Sequence, residues 1–260
     1  MSEEILRINS LTRKFGGLTA VNDVSFAARE NEILSVIGPN GAGKSTLFKL
    51  VASFLRPSQG EVLFHGQRIS GLSPHTVARM GVVRTFQETT IFRGMSVREN
   101  VILAHHLRSR AGLFGFFINS KKAASDEREF GKSADEILSF LRLEEVKNET
   151  AGNLPHGHLR ALGIAIGLAA DPKVLLLDEP FAGMNHDETD KALAMTREVR
   201  ARGVTLLVVE HDMRAVMSIS DRIVVLNFGE KIAEGTPDEI QRDEKVIEAY
   251  LGAEDDALGI

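Results

Sequence analysis

Cysteine is absent from the 260-residue chain. That excludes disulfides and thiolate metal sites and suits a reducing compartment. Long hydrophobic runs are lacking as well. The longest unbroken stretch of apolar residues and glycine, residues 161–170, is about half of the roughly 20 residues needed to span a bilayer. No segment is therefore expected to cross a membrane by itself, and the acidic start Met1-Ser2-Glu3-Glu4 carries no apolar signal core. A basic excess is missing too: the net charge is −5, which gives no general footprint for nucleic acid. No segment is of low complexity and no repeat recurs at a fixed period. The remainder, 43% hydrophobic and 26% charged, is ordinary for a globular protein. The length allows one large α/β domain, or a core with inserted subdomains, and is enough to bury a substantial interior.

One stretch organises the chain. Glu32-Ile33-Leu34-Ser35-Val36-Ile37 reads as a short buried strand. It breaks at Gly38 into Gly38-Pro39-Asn40-Gly41-Ala42-Gly43-Lys44-Ser45-Thr46, and a helical pattern follows through Leu47, Leu50 and Val51. Residues 38–45 fit G-x-x-x-x-G-K-[ST], a phosphate-binding loop, with the required strand before it and helix after it. Gly38, Gly41 and Gly43 let successive N–H groups converge on phosphate oxygens without side chains in the way. The helix from about Lys44 adds unpaired amide donors and the positive end of its dipole. Lys44 is expected to reach the β- and γ-phosphates, and the Ser45 hydroxyl to ligate Mg²⁺. Alone, this loop says that the chain binds a nucleoside triphosphate, not what the energy does.

Two further stretches end apolar strands in polar groups. Val174-Leu175-Leu176-Leu177 runs into Asp178-Glu179, which reads as a buried parallel strand delivering two carboxylates to its C-terminal edge. Asp178 suits Mg²⁺, held through water, and Glu179 suits polarisation of an attacking water. Residues 203–209 form another such strand, ending at Glu210-His211-Asp212, with His211 a third polar group at a strand end. Gln87 follows the strand-like residues 81–86 and fits either a ligand-binding group at a strand end or a solvated loop residue.

The rest is scaffold. Residues 5–8 and 21–28 predict a short antiparallel sheet. Between them Phe15 precedes Gly16-Gly17 and is either a ring for adenine to stack on or a core Phe at a hairpin end. Ser96-Val97-Arg98-Glu99 is a capping-box candidate opening a helix to His106. Residues 111–118 are apolar and broken by glycine, and fit contact with a membrane partner or a loop tucked onto its own helices. Helical periodicity resumes at Ile137, Leu138 and Leu141, so residues 96–158 read as a helical insertion between core segments 1–95 and 159–260. A turn at residues 154–158 is expected to precede a helix from Leu159 to Ala170. Residues 187–202 are expected to be helical, residues 222–233 a hairpin, and residues 239–251 a single closing helix. The other histidines, among them the adjacent His105 and His106, are not spaced as a metal site.

In order, Phe15, the loop at 38–46, Gln87, a helical insertion, a glycine-containing turn at 154–158, Asp178-Glu179 and His211 resemble the ATP-binding subunit of ABC transporters over nearly the whole chain. Phe15-Gly16-Gly17-Leu18-Thr19-Ala20-Val21, Arg84-Thr85-Phe86-Gln87, Phe181-Ala182-Gly183-Met184-Asn185, Val209-Glu210-His211-Asp212-Met213 and Glu248-Ala249-Tyr250-Leu251-Gly252 are similar to the branched-chain amino-acid uptake branch. The resemblance implies an α/β fold: a P-loop NTPase parallel-sheet core, an N-terminal antiparallel β subdomain and an inserted α-helical subdomain. It implies ATP and Mg²⁺ as cofactors and Phe15 as the adenine-stacking ring. Gln87 would touch Mg²⁺ and the attacking water at the junction with the membrane subunit, and His211 would bond the γ-phosphate. Residues 182–185 would cross a dimer interface.

The implied partners are integral-membrane permease subunits, a second ATP-binding subunit, with a heterodimer favoured over a homodimer, and indirectly a solute-binding protein. Nucleic acid is not among them. The implied place is peripheral, on the cytoplasmic face of the inner membrane. The family signature Leu-Ser-Gly-Gly-Gln falls on Leu154, Pro155, His156, Gly157 and His158. Pro155 supplies neither the hydroxyl nor an N–H, and His158 replaces the glutamine. Because the family pairs head to tail, this turn would act on the partner's ATP. Two readings follow: a working ATPase with one strong and one weaker site, or an ATP-binding subunit of slight turnover with a structural or regulatory role.

Overall fold

The computed structural model describes residues 3–85, 91–105 and 121–250. Its centre is a six-stranded sheet in the order β10-β9-β3-β8-β7-β6. The strands are β3 (Ile33–Ile37), β6 (Val82–Arg84), β7 (Val174–Asp178), β8 (Thr205–Val209), β9 (Arg222–Asn227) and β10 (Glu230–Gly235). β6, β7, β8, β3 and β9 run parallel, and β10 closes the edge antiparallel to β9. A second, antiparallel sheet takes β1 (Glu4–Phe15), β2 (Leu18–Arg29), β4 (Gln59–Phe64) and β5 (Gln67–Arg68) in the order β2-β1-β4-β5.

Both faces of the central sheet are covered, which is why β3 and β8 are buried along their whole length. The two-residue period of a strand sorts the side chains. Leu34, Val36, Leu176, Leu207 and Val209 point into a core shared with the antiparallel sheet and with α1 (Lys44–Val51). Ile33, Leu175, Leu177, Leu206 and Val208 point into a core shared with α3 (Val97–His105), α4 (Lys121–Phe140), α5 (His156–Ala169) and α6 (His186–Ala201). α4 contributes Ala134, Ile137 and Leu138, one stripe at helical spacing. α2 (Pro74–Met80) lies between β5 and β6, capped by the Ser73 side chain. A third cluster joins Ile37, Ile223 and Val225 to α7 (Met213–Ile219), α8 (Pro237–Gln241) and the helical residues 244–250.

Several expectations are met: the strand before the phosphate loop and helix after it, the strand into Asp178, and the 222–233 hairpin. Ser96 and Glu99 exchange the hydrogen bonds of a capping box: the Ser96 N–H donates to Glu99 Oε2 at 2.7 Å, and the Glu99 N–H to Ser96 Oγ at 3.2 Å.

Three expectations need correction. The N-terminal strands are longer than 5–8 and 21–28, because Arg13, Lys14 and Phe15 remain paired with β2 up to the Gly16-Gly17 turn. The closing helix is not continuous. Thr236 and Glu239 form a capping box for α8, and the Asp243 carboxylate accepts from the Lys245 and Val246 amides at 2.9 and 3.2 Å, which starts a new helix. The helix expected from Leu159 begins at His156, with Pro155 as its N-cap, so residues 156–158 are its first turn. Gln87, His106, residues 111–118 and Leu251-Gly252 lie outside the described residues. Among those described, no helix is long and apolar enough to cross a membrane.

Candidate functional site

The parallel strands deliver their C-terminal ends to one edge of the sheet, where open α/β folds place ligands. β3 delivers Gly38, β7 delivers Asp178 and Glu179, and β8 delivers Glu210 and His211.

At the loop, two glycines are fixed by close approach. Gly38 has φ 150°, and a Cβ there would lie 2.0 Å from the Leu226 carbonyl oxygen. Gly43, the left-handed N-cap of α1 at φ 99°, leaves 2.4 Å to the Ala20 carbonyl oxygen. Pro39, Asn40, Gly41 and Ala42 form the bend between them, closed by the Ala42 amide donating to the Pro39 carbonyl at 3.2 Å. Lys44 is buried and folds back, donating from Nζ to the carbonyls of Gly38 at 2.6 Å and Pro39 at 2.9 Å. Burial lowers the Lys44 pKa, and the charges of Glu179 and Asp178 oppose that shift. The loop and the acid pair thus share one electrostatic site. Ser45 is exposed and Thr46 half-buried on the first turn of α1.

On β7, Asp178 Oδ2 is ion-paired with Arg84 Nη2, reached across the sheet from β6. Glu179 sits past the strand end at φ 51°, with its amide donating to the Val209 carbonyl at 2.8 Å. Its Oε1 lies 2.9 Å from His211 Nε2. Its carbonyl accepts from the Arg160 guanidinium on α5. Glu210 is 1% exposed. Its carboxylate accepts from the Phe181 amide at 2.6 Å and the His211 amide at 3.0 Å. Burial raises the Glu210 pKa, against those backbone donors. It ties the segment after Glu179 to the start of the His211 segment.

Sequence reasoning missed the parts played by Arg84 and Glu210. Each left a trace: a cation inside a three-residue strand, and a third acid at the end of a wholly apolar one.

The other expected residues stand apart from this cluster. Phe15 is 42% exposed at the end of the β1–β2 hairpin, with the Arg13 guanidinium 4.5 Å from its ring centroid. It is therefore not a core residue. It rides on the sheet whose Ala20 touches Gly43. Leu154 is buried, Pro155 and His156 are exposed, and Gly157 and His158 are half-buried. Pro155, Gly157 and His158 share a cavity of about 350 Å³ with Pro180, Met184 and Glu188. Arg160, one turn on, connects this region to the Glu179 backbone. Tyr250 packs in the Ile37 cluster, and burial pushes its hydroxyl up to about 12, partly offset by the Gly38 backbone.

The donor set fits a hard divalent cation. The Ser45 hydroxyl and the Asp178 carboxylate are oxygen donors of the kind Mg²⁺ takes alongside phosphate oxygens and water. Among the described residues, no group of three or more His, Cys, Asp or Glu side chains could hold a metal alone.

Comparison with known proteins agrees with this geometry. The model of the ABC transporter family matches residues 21–182, and a model described as branched-chain amino acid ATP-binding cassette transporter matches residues 230–256. The chain is 43% identical over 253 residues to the high-affinity branched-chain amino acid transport ATP-binding protein BraF of Pseudomonas aeruginosa, covering 97% of this chain and 99% of that one. It is 44% identical, with the same coverage, to the LivG protein of Salmonella typhimurium, which bears the same description. Among solved structures, an ATP-binding cassette of an ABC transporter in its ADP conformation superposes with a TM-score of 0.85 at 31% identity, covering 96% of this chain and 100% of that one. The chain belongs to the ABC transporter family, as one of its ATP-binding cassettes.

Proposed function

We propose that this cassette hydrolyses ATP to power uptake of branched-chain amino acids, as the names of its relatives indicate for those proteins. The observation that carries the reading is the delivery of the Lys44 loop, Asp178 and Glu179 to one edge of the sheet, with His211 2.9 Å from Glu179. In this reading the amides of residues 41–45 and the N-terminus of α1 hold the β- and γ-phosphates. Lys44 exchanges the Gly38 and Pro39 carbonyls for phosphate oxygens. Glu179 holds a water in line with the γ-phosphate, His211 fixes the Glu179 carboxylate and bonds the γ-phosphate, and Gln87 completes the water site. Ser45, Asp178 and Gln87 would hold Mg²⁺, which supplies charge neutralisation on the phosphates. Phe15 offers its exposed ring to adenine.

The signature turn, residues 154–158, and the loop 182–185 belong to the pairing surface. They face a second ATP-binding subunit, a different chain rather than a second copy. Gln87 would sit at the junction with the permease subunits. In this reading the cassette sits peripherally at the cytoplasmic face of the membrane, with a solute-binding protein acting on the far side.

The reading of slight turnover with a structural or regulatory role is favoured by one observation: Pro155 offers no hydroxyl to the partner's phosphate, and α5 has no side-chain cap. The intact Glu179–His211 contact favours hydrolysis.

The test is light scattering of purified Glu179→Gln with and without ATP and Mg²⁺. An ATP-dependent dimer supports closure of residues 154–158 over phosphate and would replace the heterodimer by a homodimer. A monomer that binds ATP supports an obligatory different partner. Loss of ATP binding overturns the reading built on Lys44.

A further inference from the structure

The buried ion pair between Arg84 and Asp178 is not explained by folding alone. The side chains are 7% and 8% exposed, and Arg84 Nη2 donates to Asp178 Oδ2. Removing two charges from water is costly and is weak evidence for stability by itself. Arg84 belongs to the short edge strand β6, paired in parallel with β7. Its backbone is pinned, because the next residue, Thr85, donates from both its amide, at 2.9 Å, and its hydroxyl, at 3.1 Å, to the Leu176 carbonyl. Strand order puts β6 on one flank of Asp178 and β3, which leads into the phosphate loop, beyond β8 on the other. Asp178 is thus gripped from the side away from the phosphates. The other nearby cation, Lys44, is hydrogen-bonded to carbonyls and reaches Asp178 only as a charge.

We propose that Arg84 is the counter-ion of Asp178 before nucleotide loading and competes with the divalent cation for that carboxylate, so that it sets the cation concentration at which the site fills. This rests on the reading that Asp178 serves the cation. A guanidinium cannot shed its proton. A divalent ion arriving beside it meets a fixed like charge and a carboxylate already giving one oxygen away. The pair keeps the acid compensated while the site is empty, and it makes occupancy depend on the phosphates, whose negative charge outweighs the guanidinium.

The experiment measures Mn²⁺ binding to the full chain by electron paramagnetic resonance at a saturating non-hydrolysable ATP analogue. Thermal melts confirm folding. Arg84→Met is expected to bind Mn²⁺ about 3- to 10-fold more tightly than wild type, and Arg84→Lys to stay near wild type. Arg84→Gln replaces the methionine variant if that one does not fold. Asp178→Asn is expected to bind about tenfold or more weakly. Unchanged or weaker binding by a folded, uncharged Arg84 variant overturns competition, since a merely structural role can only loosen the site. Unchanged binding by Asp178→Asn overturns instead the assignment of Asp178 to the cation.

Discussion

His211 Nε2 lies 2.9 Å from Glu179 Oε1, a contact between the ends of two adjacent parallel strands. Glu179 is held there through its backbone: its amide donates to the Val209 carbonyl and its carbonyl accepts from Arg160. Its left-handed φ of 51° turns the chain sharply right after Asp178, so that consecutive carboxylates take different partners, Arg84 and His211. A backbone held in this region at a cost marks a position fixed by its surroundings.

The first prediction separates binding from chemistry at that contact. Glu179→Gln should lower ATP turnover about 100-fold or more, the scale of a lost general base. His211→Ala should lower it about 10- to 100-fold, and the double variant should fall no further than Glu179→Gln, because the two act as a unit. ATP affinity should stay within about threefold in all three. Single-turnover phosphate release, read beside equilibrium binding of a fluorescent ATP analogue, checks this. Additive losses would show that His211 acts independently of Glu179.

A second prediction uses pH. Burial lowers the Lys44 pKa below its ordinary 10.5 even with Glu179 and Asp178 pulling it up. In the unfolded chain Lys44 recovers its ordinary value, so between the lowered folded pKa and 10.5 the unfolded state binds more protons. Stability therefore rises with pH in that window. Denaturant unfolding of nucleotide-free protein at pH 8 and at pH 10 should show wild type gaining on Lys44→Met as pH rises. The difference between the two proteins cancels the titrations they share. A gap that stays constant or moves the other way would mean that the buried ammonium carries no net desolvation cost.

Much of this site is legible in the sequence because its elements are extreme. Ile33-Leu34-Ser35-Val36-Ile37 and Leu175-Leu176-Leu177 lie between two layers, and strands of a sheet covered on both faces read as such runs. Polar groups that interrupt them at one end must then fall on the strand edge. The phosphate loop declares itself through glycines that the Leu226 and Ala20 carbonyls leave no room to replace.

What stayed hidden depends on distant or ambiguous partners. Arg84 and Asp178 are far apart in sequence, and only the parallel pairing of β6 with β7 brings them together. Glu210 looks like any acid after a strand until the Phe181 and His211 amides close on it. The break before residues 244–250 turns on Asp243, which in an amphipathic run passes for a surface residue but here caps the next turn. Pro155 signals a turn in the sequence, yet proline is also at home at a helix start, and α5 takes the second option.

That last difference bears on the signature turn, where the final prediction lies. α5 begins directly after Pro155, which contributes no side-chain cap, and the first helical bond runs from the Leu159 amide to the Pro155 carbonyl at 3.0 Å. Pro155 therefore gives the first turn of α5 no side-chain acceptor of the kind that a serine or aspartate at the N-cap supplies. If this turn meets a phosphate brought by a second subunit, the proline withholds a hydroxyl but leaves the helix N-terminus in place. Pro155→Ser adds a hydroxyl. In the isolated chain it would cap α5, worth about 1 kcal/mol and roughly 2–4 °C in Tm. In the closed assembly it would turn to the γ-phosphate. His158 presents a ring with one nitrogen, Nδ1, buried and without a hydrogen bond, and His158→Gln exchanges that ring for an amide which donates and accepts. The pair Pro155→Ser and His158→Gln should raise ATP turnover of the assembled transporter about 3- to 10-fold, on the scale of one or two hydrogen bonds to a charged group. The Michaelis constant for ATP should fall or hold. Steady-state hydrolysis in proteoliposomes, set beside the melting temperature of the isolated variant, distinguishes the outcomes. A rise in Tm with unchanged turnover would show that residues 154–158 act only as a helix start and that the altered signature is no handicap to the partner's site.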